Sequence, residues 1–175
     1  MKPRVMLALM SLLMAALPAW GQHDPMPDEA LAAVEGEWKG SLTYRDYSDP
    51  DRMVTLPTEL FVTFGSPQEL VMHYIYDDGP GKIVHSYETM SVDLEGGRVV
   101  WTSGINERTE TTGRVVSDSR EGASRRLVIE SNDDGKVSRH TLEFGADRFE
   151  MRKDEVDSAG KSTLRNRYEF RRPIR

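Results

Sequence analysis

Gly36-Glu37-Trp38-Lys39-Gly40-Ser41-Leu42-Thr43-Tyr44-Arg45 reads as an extended strand, and its period recurs along the rest of the chain. Trp38, Gly40, Leu42 and Tyr44 fall on one face and Lys39, Ser41, Thr43 and Arg45 on the other. A two-residue alternation belongs to a strand with one covered face, whereas a helix would repeat its apolar residues at three and four. The next stretch repeats the pattern, with Val54, Leu56, Thr58, Leu60, Val62 and Phe64 on one side and Thr55, Pro57, Glu59 and Thr63 mainly on the other. Pro57 has no N–H to donate, so it marks an edge, a bulge or an unpaired position.

Further strands are expected over 68–76, 82–94, 98–103, 110–117, 125–131, 137–144, 148–156 and 162–171. Turn formers separate them, among them Asp77-Asp78-Gly79-Pro80-Gly81, Glu95-Gly96-Gly97, Asn132-Asp133-Asp134-Gly135 and Asp157-Ser158-Ala159-Gly160. Every link is short, which favours antiparallel neighbours, since a parallel pair needs a long crossover. A meander of about nine to ten strands either closes on itself or leaves two long edges open to aggregation, so the expected fold is all-β, a single up-and-down antiparallel barrel.

Upstream, Lys2 and Arg4 precede an apolar run over 5–19, and Ala19-Trp20-Gly21 supplies small residues for cleavage before Gln22. The chain is thereby expected to divide into a signal peptide over 1–21, a lead-in and short helix over 22–35, and the barrel domain over 36–175. The helix itself is expected over 28–34, with Pro27 in its first turn and Gly36 stopping it. A periplasmic or secreted location is expected. The chain has no cysteine, which removes a lipid-anchoring thiol, disulfides and thiolate metal sites. No segment after the leader is long and uncharged enough to span a bilayer as a helix. A barrel in an outer membrane would need an apolar outer face, yet Arg139, Glu143, Glu150, Arg165, Arg167 and Glu169 all fall on the outward candidates of the last three strands.

Without Lys2 and Arg4, 21 basic residues stand against 29 acidic ones, a net charge of −8 that does not recruit nucleic acid. The arginines at 165, 167, 171, 172 and 175, interleaved with Tyr168 and Phe170, read as the wet face of a last strand.

A short helix, then Gly36-x-Trp38 opening the first strand, then an antiparallel meander, resembles the lipocalin-like members of the calycin superfamily. The resemblance implies that Trp38 plugs the closed end of the barrel, with the helix near one end, and that an arginine of the last strand packs across the indole. The candidates for that arginine are Arg165, Arg167 and Arg171. It also implies a barrel that holds a small hydrophobic or amphipathic molecule, such as a fatty acid, an isoprenoid or an aromatic compound. The chain lacks the lipocalins' second, Thr-Asp-Tyr type motif and the helix after the final strand.

The most specific local arrangement is a histidine pair. If 77–81 forms a five-residue loop, Tyr76 faces Lys82 and His73 lies directly opposite His85, with Cβ atoms about 5 Å apart. That register also pairs Val71 with Tyr87, Ile75 with Ile83, Met72 with Ser86 and Tyr74 with Val84. Both faces carry apolar groups, so the inward one is left open. Two imidazoles could share a metal, with His140 as candidate third ligand through barrel closure. Gly160-Lys161-Ser162-Thr163 imitates the end of a phosphate loop, but Glu155 occupies the position of the first glycine and a strand comes after it, so the match is discarded. No hydrolase elbow or zinc-protease histidine pair is present, and the acidic turns lack the spacing of a calcium loop.

The ligand-lining expectation falls on Tyr44, Met72, Tyr74, His85, Tyr87 and Trp101, because tyrosine and tryptophan bury area while presenting one hydrogen-bonding end. No catalytic residue, metal or cofactor is assigned, so the chain reads as a binding protein and not an enzyme. Two alternatives remain: a filled barrel acting as a protein-interaction module or inhibitor, and a metal-assisted enzyme using the His73 and His85 face.

Overall fold

The computed structural model describes residues 29–174 apart from 105 and 134. The leader over 1–21 and residues 22–28, including the start of the expected helix, lie outside them. One helical turn, α1 (Glu29–Ala32), precedes ten strands: β1 (Gly36–Arg45), β2 (Met53–Ser66), β3 (Glu69–Asp77), β4 (Ile83–Asp93), β5 (Arg98–Ser103), β6 (Thr109–Glu121), β7 (Ser124–Asp133), β8 (Lys136–Phe144), β9 (Arg148–Val156) and β10 (Ser162–Arg171). Each strand pairs antiparallel with its sequence neighbours, and β1 pairs with β10 to close the barrel.

Pro57 pairs with Ser41 of β1 and precedes the β2–β3 ladder, which begins at Thr58. β6 runs four residues beyond its expected end at 117, because residues 118–121 carry no apolar alternation by which to read a strand. A bulge between Val115 and Ser117 also interrupts the period there, and leaves Val116 exposed.

Even-numbered residues of β1 to β4 face inward, as the alternation implies: Trp38, Leu60, Val62, Leu70, Met72 and Met90 have at most 1% of their surface exposed. Leu31 and Val34, on α1 and just after it, join Trp38, Phe144, Phe149 and Phe170 in one apolar cluster that fills the end of the barrel where β1 begins. Trp38 is sealed there. Its Nε1–H donates to the Val34 carbonyl at 2.8 Å and its ring meets Phe149 edge-on at 5.9 Å.

The arginine across that indole is Arg172, whose guanidinium carbon lies 4.2 Å from the ring centroid. Its Nη2 donates to the carbonyls of Ala33 at 2.6 Å and Glu35 at 2.9 Å, tying the end of the chain to the α1 turn. Arg165, Arg167 and Arg171 therefore do not take the role the resemblance suggests. On β10 the inward residues are Tyr168 and Phe170, and Arg172 continues that parity. Arg167 and Arg171 reach Glu150 and Asp147 on the outer face, and Arg165, at the bulge of β10, donates to the Arg45 carbonyl and lies over Tyr47.

The β3–β4 register also differs from expectation. The loop occupies 78–82, closed by Asp78 N–H to the Lys82 carbonyl, so Asp77 faces Ile83, Ile75 faces His85 and His73 faces Tyr87. Asp77 extends β3 by one residue, shifting every pair by two positions. A shift of two preserves the faces, so His73 and His85 remain on one side as diagonal neighbours instead of opposed residues.

A polar cavity in a half-filled barrel

Above the apolar plug, toward the end at which Ser103 terminates β5, the interior opens into a cavity of about 190 Å³. Tyr74, Trp101, Tyr168, Leu142 and Met151 supply its apolar wall, and Glu88, Ser103, Thr111, His140, Lys153 and Asn166 its polar groups. Inward parity puts each there: Glu88 lies in step with Met90 and Val92 on β4, and Lys153 with Phe149 and Met151 on β9. Trp101 stacks on His140 with ring centroids 4.6 Å apart. Gly113 on β6 makes room for that indole, since a Cβ there would lie 2.5 Å from Ile129 Cγ2 and 3.2 Å from Trp101.

Desolvation sets the protonation of this lumen. Burial raises the Glu88 pKa above its ordinary value, and no hydrogen bond from the described residues reaches the carboxylate. Burial, aided by the positive charge of Lys153, lowers His140 to about 4, so the imidazole is neutral at physiological pH. Its Nε2 lies 3.3 Å from Ser131 Oγ. Tyr76 is pushed up to about 12, chiefly by burial, and burial also raises Tyr74 and Tyr168 well above the ordinary tyrosine range, so all three keep their hydroxyl protons. The Tyr76 and Tyr168 hydroxyls are 3.0 Å apart, and the Tyr74 hydroxyl turns to the sulfurs of Met72 and Met151 at 3.3 and 3.8 Å.

Of the residues expected to line a ligand site, Tyr74 and Trp101 border the cavity. Met72 is fully buried beneath Tyr74. Tyr44, on inward parity at the end of β1 nearest Arg45, leans on Tyr47 at 6.1 Å and stays outside the lining. His85 and Tyr87 do not line the interior. They pair with Ile75 and His73, whose face is opposite to that of Met72 and Tyr74, so both project from the outer surface. There His73 stacks on Tyr87 at 4.2 Å and its Nε2 lies 2.9 Å from His85 Nδ1, with Phe61 alongside at 6.1 Å. His140 lies inside the barrel and cannot complete a site with this outer pair, and among the described residues no group of three or more potential ligands forms.

Glu88, Lys153, Thr111, Ser103 and Asn166 escape the reading from sequence, although Glu88 and Lys153 carried a signal: each is a charged residue in step with buried apolar neighbours. A larger outer cleft of about 540 Å³ beside the β6–β7 turn is bordered by arginines that are already paired: Arg125 with Asp118, Arg126 with Glu143, Arg148 with Glu150 and Arg171 with Asp147.

A closed antiparallel barrel, plugged by a tryptophan at one end and hollow at the other, is lipocalin-like in architecture. Among solved structures the chain is similar to Rv2717c from M. tuberculosis, with 12% identity and a TM-score of 0.60 over 86% of this chain and all of that one. It is also similar to the S-type phycobiliprotein lyase CPES from Guillardia theta, with 10% identity and a TM-score of 0.55 over 84% of this chain and 93% of that one. At such identities the likeness is one of fold. No family model and no curated protein matches the sequence.

Proposed function

We propose that the protein is a binder and not a catalyst, that it works in the periplasm or as a secreted protein, and that it holds a small amphipathic molecule in the hollow half of its barrel. The observation that carries this reading is Glu88: a half-buried carboxylate to which no described residue donates, on the wall of a lumen lined by aromatic rings and a few polar groups. Desolvating a carboxylate without compensation costs several kcal/mol, roughly, and a binding site is where such a cost is recovered, by a ligand that brings the missing donor. The cavity is smaller than the roughly 300–1,000 Å³ of sites for drug-sized molecules, which favours a compact occupant over a long acyl chain. Fold alone decides no function, so the reading rests on the cavity. Export is supported by the charged and apolar pattern over 1–21, and an exported form whose N-terminus is near Gln22 is expected.

4-Nitrophenol, a small planar acceptor of tryptophan emission, provides the test. Saturable quenching is expected in the wild type, absent from W101F and weakened by S103F, which fills the cavity. A linear, unsaturable response identical in all three would overturn the reading. A second reading, a face for protein contact, is favoured by the exposed stack of Phe61, His73 and Tyr87 on the outer sheet. F61S with Y87S would abolish association under that reading and leave quenching unchanged.

A further inference from the structure

Three charged residues border the lumen, and with Arg152 bonded to Asp154, two of opposite charge are left without an ion partner among the described residues. Glu88 stands on β4 and Lys153 on β9, and both line the cavity. Counted around the closed sheet, β4 and β9 are five strands apart in either direction, so these side chains occupy opposite walls. No ion pair joins them, and neither is paired with another side chain among the described residues. The neighbouring charges are accounted for elsewhere: Arg152 forms two 2.7 Å bonds with Asp154. His140, neutral at physiological pH, contributes a hydrogen-bonding edge and no charge. Between the two charged walls lie the rings of Tyr74, Trp101 and Tyr168, with the Asn166 amide next to Lys153 across the β9–β10 ladder.

We infer that the occupant is a small zwitterion with an aromatic or apolar body, of the charge layout of a free aromatic amino acid, its ammonium toward Glu88 and its carboxylate toward Lys153 and Asn166. This rests on the ligand-binding reading above and specifies its chemistry. A neutral occupant expels water from both charges and compensates neither. A monocation satisfies Glu88 but leaves Lys153 desolvated, with a second positive charge in the same lumen. A monoanion does the reverse. Only a molecule bearing both signs at its polar end neutralises both walls, and the aromatic faces between them attract a cation as well as an apolar body.

Four probes sharing a phenyl ring separate these cases by isothermal titration calorimetry: phenylalanine, 2-phenylethylamine, 3-phenylpropionate and 2-phenylethanol. Phenylalanine is expected to bind at least about tenfold more tightly than each of the others. E88Q should lower phenylalanine to the level of 3-phenylpropionate, and K153M should lower it to the level of 2-phenylethylamine. E88D, which keeps the charge, should retain part of the preference, and circular dichroism confirms that each variant is folded. Phenylalanine binding no more tightly than a singly charged or neutral probe, or a preference that survives both E88Q and K153M, would overturn the inference while leaving a ligand-binding barrel standing. Failure of all four probes at millimolar concentration overturns the inference too, and coupled with unsaturable nitrophenol quenching it ends the ligand-binding reading as well.

Discussion

Burial pushes Glu88 and His140 in opposite directions, and this gives the lumen a pH signature. His140 titrates near 6.5 when unfolded and at about 4 when folded, so the unfolded chain binds the extra proton between these values. The stability His140 allows is complete above pH 6.5 and falls on acidification toward pH 4, by at most about 3 kcal/mol and less to the extent that water reaches the partly buried ring. Glu88, with its folded pKa raised, has the opposite sign: its contribution is complete below about pH 4.5 and is lost as pH rises through the folded value. Urea titrations at several pH values should show a flattened acid slope in H140Q. E88Q should be more stable than wild type at pH 7, with the gain disappearing by pH 4.5. At the plug, W38A removes a fully buried indole and should cost about 3–5 kcal/mol, a large part of the stability of a domain this size. W38F keeps a ring but loses the bond to the Val34 carbonyl, and should cost roughly 1 kcal/mol more than its lost packing alone.

At the scale of strands, alternation makes most of the barrel legible in the sequence. Trp38 through Tyr44 and Val54 through Phe64 declare their faces because one face of each is covered. The β3–β4 hairpin is less legible: Val71, His73, Ile75 and Tyr87 on the outer face are as apolar or aromatic as Met72 and Tyr74 on the inner, so composition leaves the inward side open. Its register is set by one backbone bond across 78–82, which the turn residues do not disclose. For the same reason His85 and Tyr87 read as cavity residues, while Glu88, one position along and truly inward, goes unmarked. Arg172 escapes notice as the partner of Trp38 because it lies just past β10, where the alternation ends. Two glycines carry predictions at this scale. A Cβ on Gly40 would lie 1.8 Å from the Glu169 carbonyl oxygen across the closing β1–β10 seam, so G40A should destabilise by about 1–3 kcal/mol and speed amide exchange in both strands. G113A should push Trp101 off His140, shifting indole emission and reducing quenching by 4-nitrophenol.

Over the whole molecule, the division of labour runs along the barrel axis. The end where β1 begins is packed solid by Leu31, Val34, Trp38, Phe144, Phe149 and Phe170 and tied off by Arg172. The other half is lined by tyrosines, a tryptophan and polar groups around a void. A packed lower half supplies stability that the upper half does not have to share, which lets the lumen carry polar and charged side chains in place of a filled core. The central claim is that this void holds a small molecule, and native mass spectrometry of protein purified gently from its own host tests it most directly. A stoichiometric adduct of small-molecule mass is predicted on the wild type, lost from a folded S103F variant whose added ring occupies the cavity. A wild-type mass equal to that of the bare chain, together with an unchanged spectrum for S103F, would contradict it.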